Sequence, residues 1–395
     1  MLANKNTLDF DNTEIAFSVK TDAELKKASW LFKLMSNPTL TKILSFLGIW
    51  TTKLRFPIST KIIKNTIYEQ FCGGVNLLDS QKTIDKLESR NVLSVLDYGV
   101  EGKDNEHDFD ATMNEFLRAI EFASINDSIP VISAKITGLA RLGLLEKISA
   151  GKDLTQTEKN EYEAIVKRVD AICHKAMSKK VAIFIDAEES WIQQAIDDLV
   201  DKMMERYNQN RVSVYNTFQM YRTDRLDYLK KSVARSQEKN YFYGAKLVRG
   251  AYMEKERKRA IDKKYPSPIH ATKEETDNHY NEALKYCLAQ YEKISVCNAT
   301  HNQASCRLMA DIIDSMKVAK NHPHLNFCQL YGMSDNLTFN LAASGYNAAK
   351  YLPYGPVKDV IPYLVRRAEE NSSISGDITR EYGMILSELK RRGLK

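Results

Sequence analysis

Nowhere in this 395-residue chain is there a C-x-x-C pair: Cys72, Cys173, Cys287, Cys297, Cys306 and Cys328 stand apart from one another. That spacing signals neither a zinc ribbon nor a redox dithiol, and a reducing compartment is the simplest inference. No uninterrupted apolar run is long enough to cross a bilayer. The first fifteen residues, MLANKNTLDFDNTEI, carry Asp9, Asp11 and Glu14 and no arginine, which suits neither a secretory signal nor a transit peptide. A dominant charge is missing too, since 57 basic residues face 51 acidic ones for a formal net charge of +6. That balance does not demand nucleic acid, and it is compatible with loose attraction to an anionic membrane without arguing for it. Neither G-x-G-x-x-G nor G-x-x-x-x-G-K-[ST] occurs on a strand-to-helix turn, which weighs against Rossmann and P-loop units. The expectation is a cytoplasmic protein, soluble or at most peripheral on a membrane.

What is present is a normal apolar share, 43%, in a chain long enough for one large domain with additions or for two ordinary ones. The stretches AELKKASWLFKLM, LTKILSFLGIW, IIKNTIYEQF and TIDKLESRN repeat apolar residues at three and four, predicting an N-terminal helical subdomain over residues 1–90. After Asn91 the texture changes to eight short β-rich runs: VLSVLDYG, IPVISAKITG, KVAIFIDAE, RVSVYNTFQ, YGAKLVRGAY, ISVCNATHN, LNFCQLYG and AAKYLPYG. Runs such as VAIFI lack polar alternation and suit parallel strands covered on both faces. Helical stretches such as TMNEFLRAIEFAS and WIQQAIDDLVDKMMERYN lie between them. The pattern predicts an α/β fold, a (β/α)8 TIM-like barrel over residues 91–373, followed by a helical tail over 374–395.

In such barrels the active site lies at the C-terminal strand ends. Those ends carry Asp97 and Tyr98, Lys135, Asp186 and Glu188, Asn216 and Gln219, Lys246 and Arg249, Thr300, His301 and Asn302, Gln329, then Tyr351 and Tyr354. Burying so many polar groups without partners is costly, so convergence on a ligand is the economical explanation. Structural alternatives exist. Asp186 could cap the Trp191-containing helix. Lys135, inside the apolar run VISAKITGL, needs an anion nearby. His301 alone reads as a structural histidine, and no metal-ligand spacing is present. In RGAYMEKERKRA, a basic run of the kind that is ordinarily a solvated face, Gly250 and Ala251 would allow close approach of a phosphate-bearing cofactor. In YLVRRAEEN, Arg366 and Arg367 with Glu370 locally resemble exposed helical ion pairs, although two adjacent forks under a roof could hold one carboxylate.

IDAEES (Ile185 to Ser190), KLVRGAY (Lys246 to Tyr252), ATHN, QLYGM and YLPYGPVKDVIPYLVRRAEENSS, in this order on strand ends and a final helix, resemble proline dehydrogenase from about Leu96 to Ser373. The resemblance implies a distorted (β/α)8 barrel holding FAD, with the last helix over the mouth. It implies that Arg366, Arg367 and Lys135 bind the substrate carboxylate, that Tyr351 and Leu330 wall the proline ring, and that Glu370 fixes the arginines. It implies FAD contacts from Asp186, Ala187, Gln219, Lys246, Arg249, Gly250, Ala251, Thr300 and His301, with Asp186 and Lys246 as catalytic residues. Many bacterial members have arginine where this chain has Lys246, whereas the animal-like branch has lysine; a cation is retained, but not a planar fork.

The implied activity is oxidation of L-proline to 1-pyrroline-5-carboxylate, the first step of proline catabolism, with electrons passed to a membrane quinone. A monofunctional enzyme is expected, peripheral on the inner face of a bacterial membrane, with pyrroline-5-carboxylate dehydrogenase as a separate chain. LSFLGIW (Leu44 to Trp50) is a candidate surface anchor, though a core helix explains it as well. The rivals are hydroxyproline dehydrogenase, which a bulky Tyr351 disfavours, a flavin-free barrel binding an acidic metabolite, and an aldolase-type barrel using Lys135 or Lys246 as a Schiff base.

Overall fold

The computed structural model describes residues 8–35, 63–99, 103–364, 366 and 375–394. Among them, eight parallel strands close into a barrel in chain order. They are β1 (Leu93–Tyr98), β2 (Val131–Ala134), β3 (Ala182–Ile185), β4 (Val214–Gln219), β5 (Tyr243–Val248), β6 (Ile294–Ala299), β7 (Leu325–Leu330) and β8 (Asn347–Tyr354). Each of the eight runs covers its strand to within one residue. The apolar runs are continuous because both faces are covered: consecutive Ile183, Phe184 and Ile185 are all buried.

The chain forms two compact units, Met1–Gly99 with Cys328–Lys395, and Val100–Phe327. In the second, parallel pairing sets Ser133 beside Phe184, Phe184 beside Tyr215, and Thr217 beside Lys246. Registered partners in a parallel sheet point the same way, so these side chains share one face. The Tyr215 and Ser295 hydroxyls, 2.7 Å apart, lie on that same face. The opposite face serves the surrounding helices. There Asn216 donates to Asp197 at 3.0 Å, on a helix spanning Ser190–Tyr207, and Asp197 also receives Arg225 at 2.6 Å. Asn216, although it lies near a strand end, is thus a packing residue.

In the first unit, β1 pairs with β8, with Val95 opposite Tyr351. Three helices matter here: α1 (Thr13–Ala16), α2 (Asp22–Met35) and a C-terminal helix, α3 (Ser375–Arg391). Phe17, Leu25, Phe32, Ile385 and Leu389 share one apolar cluster. Just past α3, the Arg392 guanidinium donates to the Phe17 and Lys20 carbonyls and to Asp22, at 2.8 to 3.0 Å. The helical stretch IIKNTIYEQF carries a π turn at Lys64–Tyr68, which three-and-four spacing does not signal. It ends on Tyr68, whose hydroxyl donates to the Gly74 and Gly355 carbonyls. The Leu44 to Trp50 segment lies outside the described residues, as do Arg367 and Glu370. Among the described residues, no helix is long and apolar enough to cross a membrane.

Candidate functional site

β2 ends at Ala134, so Lys135 stands just past the strand with extended backbone and aims its ammonium at Asp186 Oδ2, 3.2 Å away. Asp186 follows β3 in the same way, and its backbone N–H donates to the Ala134 carbonyl at 2.9 Å, locking the two strand ends together. Lys246, inside β5, places Nζ 2.6 Å from Asp186 Oδ1 and 5.3 Å from the Phe184 ring centroid. The Ser133 hydroxyl donates to the same Oδ1 at 2.9 Å. All four side chains belong to buried residues. Two lysines meeting one carboxylate in a buried strand-end cluster form an arrangement suited to an anionic ligand.

Asp186 is not the cap of the following helix. That role falls to Glu256, whose carboxylate accepts the Ser190 N–H and hydroxyl at 2.6 Å each, from outside the helix. Asp186 is thereby left for the lysines.

A second set of polar side chains joins the ends of β3, β4 and β5. Gln219 donates to the Glu188 carbonyl at 2.7 Å and accepts the Ala251 N–H at 3.1 Å, bridging the segments that carry Ala187 and Gly250. The Glu188 carboxylate is occupied by the backbone N–H and hydroxyl of Thr137. Gly250 has φ +141°, and a Cβ there would lie 2.5 Å from the Tyr221 ring, so only glycine fits. Arg249 is held on all sides. It donates to Asp277 at 2.7 Å, to the Thr300 hydroxyl at 2.5 Å and to Ser305 at 3.1 Å, and it stacks 4.4 Å from the Tyr280 centroid. Burial pushes the Asp277 carboxyl up, but Lys273 and Arg249 outweigh it and hold it below its ordinary value. His301, half-buried, follows Thr300 at the end of β6.

In the first unit, Leu330 ends β7 and Tyr351 lies buried in β8, and the Tyr331 N–H donates to the Tyr351 carbonyl at 2.9 Å. Arg366 is helical and half-buried. Beside this wall lies a group that strand-end reading missed. Lys350, with no exposed surface, pairs with Asp335 at 2.8 Å and donates to the Met333 carbonyl, while Lys20 approaches the other Asp335 oxygen at 3.4 Å. Also missed in the sequence were Ser133, Thr217, Asp277 and Ser305. For the first two a signal existed, because each stands two residues before a recognised site residue and therefore shares its face.

The chain matches the family model described as proline dehydrogenase over residues 80–380. It is 33% identical over 364 residues to the carbapenem antibiotics biosynthesis protein CarD of Pectobacterium carotovorum subsp. carotovorum, covering 91% of this chain and 94% of that one. It is 31% identical over 375 residues to mitochondrial proline dehydrogenase 2 of Arabidopsis thaliana, covering 84% and 79%. Among solved structures it is similar to proline utilization A of Bdellovibrio bacteriovorus inactivated by N-propargylglycine, with TM-score 0.71 and 18% identity. That match covers 91% of this chain but spans only 38% of the solved one, and it is a likeness of fold.

Proposed function

The chain belongs to the proline dehydrogenase family, and from that premise we propose that it oxidises L-proline to 1-pyrroline-5-carboxylate, using FAD held at the strand ends of the barrel. The observation that carries the reading is the Lys135–Asp186–Lys246 cluster, since the family's lysine, aspartate and cation meet around one carboxylate.

The residues present fit a flavin. Gly250 lets the turn after β5 take its positive φ against the Tyr221 ring, which shapes the backbone that the cofactor would meet. Thr217, registered with Lys246 on the lumen face, has a buried hydroxyl without a hydrogen-bond partner among the described residues. Lys246 and Arg249 supply cations of the kind that favour phosphates and the negative charge of a reduced flavin ring. Asp186, Ala187, Gln219, Lys246, Arg249, Gly250, Ala251, Thr300 and His301 would hold the cofactor. When bound, FAD supplies the two-electron acceptor for the hydride that leaves the ring carbon next to nitrogen.

The protein's own work is to bind, orient and set protonation. Lys135, Arg366 and Arg367 would hold the proline carboxylate, with Glu370 fixing the arginines and Leu330 and Tyr351 walling the ring. A carboxylate anchored this way leaves the amine edge of the ring free to be positioned, and close, aligned approach is what hydride transfer needs. The amine must be neutral to support hydride departure. Surrounding cations disfavour the ammonium form and lower its pKa, so activity rises from neutral to alkaline pH. Loss of the hydride from carbon and a proton from nitrogen leaves the neutral cyclic imine.

Electrons would leave to a membrane quinone, with the protein peripheral on the inner face of a bacterial membrane and a separate pyrroline-5-carboxylate dehydrogenase consuming the product. The deciding experiment is the visible spectrum of the purified protein before and after anaerobic addition of proline. A flavin band that bleaches is expected. A colourless protein that stays colourless after incubation with FAD would overturn the reading.

A further inference from the structure

We propose that Ser133 is a positioning residue: its hydroxyl fixes the rotation of the Asp186 carboxylate so that one oxygen serves Lys246 and the other serves Lys135. The role deepens the proline-oxidising reading and rests on it for its meaning in catalysis.

The geometry is asymmetric. Oδ1 of Asp186 accepts from two groups, Ser133 Oγ at 2.9 Å and Lys246 Nζ at 2.6 Å, whereas Oδ2 faces Lys135 at 3.2 Å. A lysine ammonium is a point charge with freely rotating donors, and it imposes no orientation on a carboxylate. Two lysines at unequal distances would therefore let the carboxylate turn toward the nearer one and abandon the other. A third donor with fixed direction removes that freedom, and Ser133 is placed to be it.

Two further observations suit the role. Ser133 and Lys135 are two residues apart on one face, with Ser133 one pleat deeper in the sheet, so its hydroxyl reaches the carboxylate from beneath. Ser133 has no exposed surface. The backbone bond from Asp186 N to the Ala134 carbonyl already sets the separation of the two strand ends. The hydroxyl acts on the side-chain rotation through its bond to Oδ1. Fixed this way, one carboxylate keeps the substrate-side lysine and the flavin-side lysine apart, each aimed in its own direction.

The test compares Ser133→Ala with Ser133→Cys. Cysteine keeps nearly the volume of serine but is a weak donor, so a mere packing role would leave it like wild type. Two readouts are used. The first is competitive acylation of lysines in the folded protein, followed by peptide mass spectrometry, which needs neither proline nor turnover. The second is the dissociation constant of cyclopentanecarboxylate, a non-oxidisable ring carboxylate, followed by the flavin spectrum. In both variants the Lys135 to Lys246 labelling ratio should rise several-fold and carboxylate binding should weaken by about tenfold, the scale of one charge-assisted hydrogen bond. A Ser133→Cys protein with the wild-type labelling ratio and wild-type carboxylate affinity would overturn the proposal. Failure of proline to bleach the wild-type flavin would refute the activity instead, and the labelling ratio would still decide the role of Ser133.

Discussion

The ammonium of Lys246 lies 2.6 Å from Oδ1 of Asp186, although the two residues are 60 positions apart and Asp186 follows β3 while Lys246 stands in β5. The same carboxylate holds Lys135. Removing the shared partner therefore takes one buried carboxylate away from two lysines at once. Asp186→Asn should lose about 3–5 kcal/mol of stability and most of its bound flavin. Thermal unfolding and the ratio of flavin to protein absorbance measure both, and an unchanged melting temperature would show that the cluster is not energetically coupled.

Gly250 makes a different demand, because its φ of +141° and the Tyr221 ring together exclude a side chain. Gly250→Ala should strain the turn after β5 by about 1–3 kcal/mol and weaken FAD binding, while the Arg249 contacts on the far side persist. Titrating apoprotein with FAD gives the affinity directly. Wild-type affinity would mean that the cofactor does not approach this backbone.

If Arg366 grips the substrate carboxylate, Arg366→Met should raise KM for proline by about 10- to 100-fold and alter kcat much less, since a ground-state anchor is lost. Steady-state kinetics with a soluble quinone analogue separates the two constants. A KM left at the wild-type value would remove Arg366 from the substrate site.

Glu381, in α3, accepts the Ser334 N–H at 2.9 Å and lies buried. Burial first, and the neighbouring Asp335 charge second, push its carboxyl up to about 7 from 4.5, against the opposing pull of Lys350, the Ser334 N–H and Arg380. A raised folded-state value means that the native protein holds a proton that the unfolded chain has given up. The associated stability is complete below pH 4.5 and is lost as pH rises through 7. Glu381→Gln, which does not titrate, should gain about 1–3 kcal/mol on wild type between pH 5 and pH 8. Melting curves at the two pH values test it, and a constant difference between the proteins would refute the assignment.

Much of the fold is legible in the amino-acid sequence. The eight strands follow from apolar runs without polar alternation, a pattern that only a sheet covered on both sides tolerates. Their polar ends mark the functional rim because a barrel of this kind gathers strand termini at one end. Lys135 stood out as a lysine in an apolar run, and Gly250 as a small residue opening a basic helix.

What local pattern could not decide is which partner each polar group takes. Asp186 looks equally like a helix cap in sequence, and only the approach of Glu256 to Ser190 assigns the cap elsewhere. Ser133 is an unremarked serine until register and pleat bring it under the carboxylate. Lys350 reads as one more lysine in AAKYLPYG, yet it is fully buried because Asp335 and the Met333 carbonyl, distant along the chain, meet its charge. The sequence by itself determined the barrel and the chemical type of its rim, since period and burial are encoded locally. Tertiary structure alone decided the pairing of charges, because Coulombic and hydrogen-bond partners are chosen by distance in space, and the 60-position separation of Asp186 and Lys246 carries no trace of it.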